Sequence, residues 1–216
     1  VYFTDCGVSG ATVLQVPGIS PGLVVDDEIR KILIDSRKFH LLHRDTDENE
    51  HSLEMHLPYL AHVFRAELDR VRVVPILMGA LSKESEIEYG EILAPYLKDP
   101  ENLFIVSSDF CHWGERFRYT RYNPSAGPIW QSIEDLDREG MRFIEAKDAD
   151  GFHAYQRSTG NTICGRHPIA VLLRAIQVAQ SDYSVRFVRY AQSSKCTEPN
   201  DSSVSYASAW VRHSRR

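Results

Sequence analysis

The sequence predicts an α/β fold with helices on both faces of one sheet. Two observations carry this. Short apolar, β-branched runs alternate with segments of helical periodicity along most of the chain. The last two strand-like runs, Val185–Tyr190 and Val204–Trp210, have only a short connection, so they are expected to pair antiparallel and make the sheet mixed. At 216 residues, 43% of them apolar, the chain is expected to form a single domain over 1–216 with a sizeable core.

The first strand is expected between Cys6 and Val16, ended by the turn-rich run Pro17-Gly18-Ile19-Ser20-Pro21-Gly22. Asp26 and Asp27 supply an acidic start for a helix through Asp35, with Ile29, Ile32 and Leu33 at helical spacing. Residues Asp45–Asn49 read as a polar loop. Leu53, Leu57, Leu60 and Phe64 mark one helical stripe after it, and Val71–Met78 a buried strand weakened by Pro75. Ser82, Ser85 and Glu86 open a third helix that stops before Asp99-Pro100, and Leu103–Ser107 reads as the next strand. Helices are expected over 128–146, 148–158 and 164–180. In the last of these Ile169, Leu172, Leu173 and Ile176 fall at i, i+3, i+4 and i+7.

The bulk composition excludes several function classes. A net charge of −5 and a pI near 6.0 argue against nucleic-acid binding, which needs clustered cations to neutralise phosphates. The basic tail Arg212–Arg216 reads as a solvated terminus. No apolar run approaches the ~20 residues that span a bilayer, so no membrane insertion is expected. Residues Val1–Cys6 lack the pattern of a signal peptide. Four widely spaced cysteines without any Cys-x-x-Cys fit a reducing compartment, hence a cytoplasmic location.

Candidate chemistry gathers at two places. Ser107-Ser108-Asp109-Phe110-Cys111-His112-Trp113-Gly114 follows the apolar run Leu103–Val106, and Asn161–Pro168 opens the clearest helix. Asp109 and His112, three apart, share one side of a tight turn. The carboxylate can fix the imidazole tautomer, leaving the ring to act as base, acid or ligand. A plain structural alternative has Asp109 capping the turn and His112 and Trp113 packed as aromatics. Cys164, at a helix start beside Arg166 and His167, sits where thiolate is favoured, the form that binds metal or attacks carbon. Together these are the parts of a metal site or a nucleophile site.

Two further groups deserve weighing. Glu50-His51-Ser52-Leu53-Glu54-Met55-His56 is not His-Glu-x-x-His. His51 and His56 are five apart and do not share a helical face, which disfavours a zinc protease, while Glu50 and Glu54 do share a face and one of them can orient a histidine. In Trp113-Gly114-Glu115-Arg116-Phe117-Arg118-Tyr119, guanidiniums interleaved with aromatics suit a phosphate or carboxylate at the mouth of a cleft. There is no glycine-rich phosphate loop and no Gly-x-Ser-x-Gly elbow.

Taken together, residues 47–59, 106–119, 161–168, 190–194 and 201–207 resemble the Memo family, mediators of receptor-driven cell motility, over nearly the whole chain. Memo proteins in turn resemble class III extradiol dioxygenases, non-haem iron enzymes that cleave catechol rings. The resemblance implies a three-layer α/β/α sandwich around a mixed, mostly parallel sheet with a deep cleft. It also implies a metal held by two histidines and a cysteine. Cys164 matches that cysteine. His112 matches the family's acid/base histidine with Asp109 beside it. Arg116 matches a cleft arginine linked to phosphotyrosine peptides, with Trp113 in the same segment. The family's two metal-binding histidines lie in motifs of the type Pro-His-Ala-Gly-Tyr and Ser-His-His, and neither string occurs here. The expectation is therefore a chain beginning after those motifs and the first strands. It would hold one protein ligand, with His51, Glu54 and His167 as surrounding support.

Three functions follow. The first is a Memo-like protein whose cleft suits iron or copper and a small-molecule substrate, serving redox signalling or cell motility as a dioxygenase-like oxidoreductase. The second is an adaptor that binds a phosphotyrosine peptide through Arg116 without turnover. The third is a metal-free hydrolase with Cys164 as nucleophile, His112 as base and Asp109 as orienter.

Overall fold

Local capping signals and proline positions decide where this chain's elements start and stop. The computed structural model describes residues 5–213, in two compact units that meet between Leu81 and Ser82. Val1–Thr4, most of the run that lacks a signal-peptide pattern, and Ser214–Arg216, part of the basic tail, lie outside the described residues. Of the rest of that tail, Arg212 lies over the Trp210 ring, 4.4 Å from its centroid.

The first unit holds strands β1 (Cys6–Val8), β2 (Val13–Val16) and β3 (Ile19–Val25), then α1 (Asp27–Asp35) and β4 (Phe39–Leu41). The expected single strand from Cys6 to Val16 is thus two strands. The expected break over 17–22 shrinks to a two-residue turn, because Ile19 re-enters pairing opposite Val16 and places Leu23 in a cluster with Val16 and Ala61. Helix α1 starts as expected: the Asp26 carboxylate accepts from the Ile29 N–H at 2.9 Å, and Leu33 is buried.

Residues 45–49, expected as a loop, belong largely to a helix, α2 (Arg44–Glu48). It has no buried residue. The His43 ring accepts from Asp45 N–H, and Arg44 pairs with Glu48 at 2.8 Å, so hydrophobic periodicity carries no trace of it. The expected helix through Leu53 and Phe64 is two pieces, α3 (His51–Glu54) and α4 (Leu57–Val63). Pro58 sits in the first turn of α4, where its missing N–H is tolerated; inside a continuous helix it would break the ladder. Pro75 likewise splits the expected strand into β5 (Arg72–Val73), parallel to β3, and β6 (Ile76–Met78), antiparallel to β1.

The second unit opens with α5 (Lys83–Lys98), capped by the Ser82 hydroxyl on Ser85 N–H at 3.2 Å. The expected strand over Leu103–Ser107 is absent: among the described residues no backbone–backbone hydrogen bond involves residues 103–109. Pairing begins at Phe110 and Cys111 against Ser205 and continues through β7 (His112–Trp113). Helices α6 (Ile129–Glu145), α7 (Ala149–Thr159) and α8 (Arg166–Ala179) follow close to expectation. Strands β8 (Tyr183–Gln192) and β9 (Ser203–His213) pair antiparallel, as their short connection required.

The protein is a mixed α/β fold. Among the described residues the strands form three three-stranded sheets, β4-β1-β6, β2-β3-β5 and β7-β9-β8. Only β1–β4 and β3–β5 are parallel, so pairing is less parallel than expected. The hairpins β2–β3 and β8–β9 explain this, since a short connection can only reverse the chain. No helix among the described residues is long and apolar enough to cross a membrane.

Candidate functional site

The second unit brings Cys164, Asp109 and His112 together through two neighbouring loops. Gly165, at the N-cap of α8, makes the approach possible: a Cβ there would lie 2.6 Å from the Ser107 carbonyl oxygen and closer still to Ser108 Cβ. Gly165 N–H donates to Ser108 Oγ at 3.0 Å, and Ser108 Oγ donates on to the Asp109 carbonyl at 2.7 Å. This locks the two loops side by side. The exposed Cys164 sulfur then accepts the Asp109 backbone N–H at 3.1 Å. Cys164 lies just outside the helix, so a single aimed N–H adds to the dipole effect expected from its sequence position.

His112 is fixed from behind. Its backbone N–H donates to Thr162 Oγ1 at 2.7 Å, and Thr162 Oγ1 donates back to the His112 carbonyl at 2.9 Å. Its ring Nδ1 lies 3.0 Å from the Phe110 carbonyl and 3.1 Å from the Thr162 carbonyl. Carbonyls only accept, so Nδ1 carries the proton and Nε2 of the neutral ring keeps its lone pair. The Asp109 carboxylate sits 3.7 Å from Nε2, too far for a hydrogen bond. Two carbonyls therefore set the tautomer, in place of the carboxylate expected from the spacing. With side chains 46% and 23% exposed, Asp109 and His112 are both reachable.

Behind these loops lies a closed polar network. Asp137, on α6, is fully buried. It accepts from the Cys111 backbone N–H at 3.3 Å, from the Asn161 amide at 2.9 Å and from the Tyr190 hydroxyl at 2.9 Å. Asn161 also donates to the Tyr155 hydroxyl at 2.7 Å. One carboxylate thus ties the loop of His112 to the loop of Cys164. Burial pushes the Asp137 pKa up, partly offset by donation from Asn161, Ser205 and Tyr190. The Cys111 thiol is also raised, by burial first and then by Asp137.

Comparison with known proteins decides the family. The model of the family described as Memo-like protein matches residues 14–210. The chain is 48% identical to Protein MEMO1 of Danio rerio over 210 residues, covering 96% of this chain and 70% of that protein. Identity to Protein MEMO1 of Homo sapiens is 47% over the same length and coverage. Identity to Protein memo-1 homolog of Caenorhabditis elegans is 44% over 213 residues, 96% of this chain and 60% of that protein. This chain belongs to the Memo-like family.

The remaining candidates in this Memo-like chain fall in different places. His51 and Glu54 are exposed on the one-turn helix α3 of the first unit. The helix is interrupted between α3 and α4, so the helical angle expected between His51 and His56 does not apply. His167 turns away from the support role expected for it: its Nδ1 lies 2.8 Å from Glu86 Oε1 on α5. Trp113, expected beside a bound peptide, is 2% exposed and packs with Cys111, Ile129, Ile133 and Cys196. Its indole N–H is taken by the Arg121 carbonyl at 2.9 Å, so it braces the loop from inside. Arg116 is exposed, its guanidinium 4.4 Å from the Phe117 ring centroid, and that ring meets His112 edge-on at 5.2 Å.

Among the described residues no group of three His, Cys, Asp or Glu side chains is placed to hold a metal ion. Cys164 is chemically fit to supply one soft donor, since its sulfur is exposed and held in place by the Asp109 N–H. Sequence reasoning missed Thr162, Gly165, Asn161 and Asp137. The Asn-Thr preceding Cys164 and the Gly following it were visible but carry no signal without the facing loop.

Proposed function

We propose that this Memo-like chain, read as one domain across both units, is a cytoplasmic protein whose cleft serves a redox metal, iron or copper. Cys164 is its thiolate ligand in this reading and His112 its proton-handling group. The observation that carries it is the pairing of an exposed sulfur bonded by the Asp109 N–H with an imidazole whose Nε2 lone pair is left open. Bound iron or copper would supply one-electron chemistry, suited to redox signalling, cell motility or dioxygenase-like oxidation of a small molecule. The chain's own residues do the rest. His112 accepts or returns a proton at Nε2, and Asp109 stabilises the imidazolium formed when it does. The test is metal content after loading with Fe(II) or Cu(II) and washing with a weak chelator, for the wild type and Cys164→Ser. The variant is expected to retain far less; equal content in both overturns the assignment.

A second use of the same face is supported by Arg116. Phe117 holds its guanidinium near His112, where a phosphotyrosine could pair with the cation. Titration of a phosphotyrosine peptide against wild type and Arg116→Ala tests it, and affinity unchanged by the substitution refutes it. Affinity kept after chelation would make this the adaptor function rather than substrate recognition.

A further inference from the structure

In the second unit one length of chain and one strand edge lack backbone partners, and both line the same trough. Residues 103–109 make no backbone–backbone hydrogen bond with any described residue, although Leu103-Phe104-Ile105-Val106 has the composition of a strand. The ladder to β9 ends at Phe110, whose N–H donates to the Ser205 carbonyl at 2.8 Å, and goes no further toward Leu103. Beyond that rung, among the described residues, β9 pairs over 206–212 with β8 alone. A cavity of about 760 Å³ opens there. Residues 209–212 of β9 all line it, so this strand turns its edge to the cavity as well as one face. Leu103 is 67% and Ile105 46% exposed, so the run is open to a partner.

The chemistry of the walls narrows the occupant. Leu172 and Ile176 of α8 give an apolar floor, and Phe104 and Val106 an apolar side. An apolar small molecule would cover these surfaces but would also strip water from the N–H and C=O groups of both edges and return nothing. A polypeptide backbone supplies the missing donors and acceptors. The run and β9 are antiparallel where they pair, so a strand between them lies parallel to one and antiparallel to the other, as mixed sheets allow. At ~3.4 Å per residue, 207 to 212 offers roughly 17 Å, room for about six residues. One end of the trough is positive. Lys98 and Arg212 line it, both exposed, while the Asp99 carboxylate beside them accepts from Glu101 N–H at 3.0 Å within its own loop.

We propose that this edge takes an extended peptide of a partner protein as an added strand, with apolar side chains at alternate positions on α8 and an acidic residue at the end that meets Lys98 and Arg212. The site makes no use of the Cys164 thiol. It touches that face only through Ser108, which lines the trough and whose hydroxyl accepts from Gly165 N–H at 3.0 Å.

The experiment is amide hydrogen exchange on the wild-type chain, alone and with peptides of about ten residues that alternate valine with threonine. One carries two glutamates at its N-terminus, one carries them at its C-terminus, and a third has lysines at both ends. In the free chain the amides of 103–108 should exchange readily. One of the acidic peptides should bind and slow them about tenfold or more. The lysine peptide, and the acidic one methylated at alternate backbone nitrogens, should each bind at least about tenfold more weakly. Arg212→Ala should weaken binding by about threefold or more, and Ile105→Pro by about tenfold. Ile105→Pro removes an N–H that no backbone carbonyl of the described residues accepts, so the urea midpoint should hold. Should it fall instead, Arg212→Ala and the methylated peptide decide. Protection of 103–108 in the free chain would mean that the run has closed on β9 by itself, and would overturn the proposal. So would no binding by either acidic peptide, binding that leaves those amides exchanging freely, or equal affinity of the methylated or lysine form.

Discussion

Two aspartates flank the same loop and meet opposite conditions. Asp109 is almost half exposed, gives its backbone N–H to the Cys164 sulfur and leaves its carboxylate 3.7 Å from the His112 ring. Asp137 is fully buried and accepts from Cys111, Asn161 and Tyr190. A carboxylate open to water keeps its charge at little cost and can meet a substrate or a proton. One held in the interior must be matched by donors, and its value is positional. The difference teaches that the reactive residue types of this Memo-like unit sit on its open face while their geometry is set from the closed side.

The largest expected effect breaks the closed side. Asp137→Ala leaves Cys111 N–H, the Asn161 amide and the Tyr190 hydroxyl without their acceptor, a loss of about 3–5 kcal/mol read as a fall in the urea midpoint. Asp137→Asn keeps the shape and isolates the charge. Burial raises the folded pKa of Asp137 above its unfolded value of about 3.9. The protonated form is therefore the one favoured on folding. Its stabilisation is complete below the unfolded value and is lost as pH rises through the folded pKa. From about pH 4 upward the wild type should thus lose stability relative to Asp137→Asn. A gap between the two that is constant with pH would show that the buried network compensates the charge in full.

Next in size is the seam between the two loops. Gly165→Ala pushes a methyl against Ser108 and the Ser107 carbonyl, expected to cost about 1–3 kcal/mol and to part Cys164 from Asp109. The amide proton of Asp109 should move upfield in NMR as its bond to sulfur lengthens. An unmoved resonance would mean that the loops meet without help from this glycine. Thr162→Val removes the hydroxyl that brackets the His112 backbone, for about 1–2 kcal/mol, and should broaden or shift the His112 ring signals. If only stability falls and the ring signals stay, the carbonyls of Phe110 and Thr162 hold the imidazole alone.

These contrasts also mark what could be read from the chain alone. Helices α1 and α5 were legible because a capping residue and an apolar stripe agree along a single segment, and α8 from its apolar stripe alone. Helix α2 was invisible because it buries nothing and is held by charge pairs, and Pro58 and Pro75 cut elements that the apolar pattern joined. The open face was legible too: Asp109, His112, Cys164 and Arg116 are reactive residue types in short runs. The closed side was not. Asp137 lies in the middle of an amphipathic helix, where an acidic residue reads as solvated, and its partners stand 24 to 53 positions away, before and after it in the chain. Nothing in a linear pattern says that this position of α6 faces inward toward two loops. Trp113 erred in the other direction: an aromatic beside an arginine reads as a binding surface, while its indole is buried on the inner side of the loop.

The smallest effect on folding belongs to the open face, and it is where the contrast is sharpest. Arg116→Ala and Asp109→Asn should each change stability by less than about 0.5 kcal/mol, because both side chains are exposed or nearly so and neither is needed by a buried donor. Function should respond instead. Asp109→Asn removes the negative charge nearest Nε2, 3.7 Å away, so the carbon-bound ring protons of His112 should shift in NMR. Ring signals unmoved by the substitution would assign the 3.7 Å approach to packing, and His112 would then answer only to the carbonyls at Nδ1. Stability loss from Asp109→Asn as large as from Asp137→Asn would be the more serious result, since it would mean that the open carboxylate is structural and that the division between the two faces does not hold.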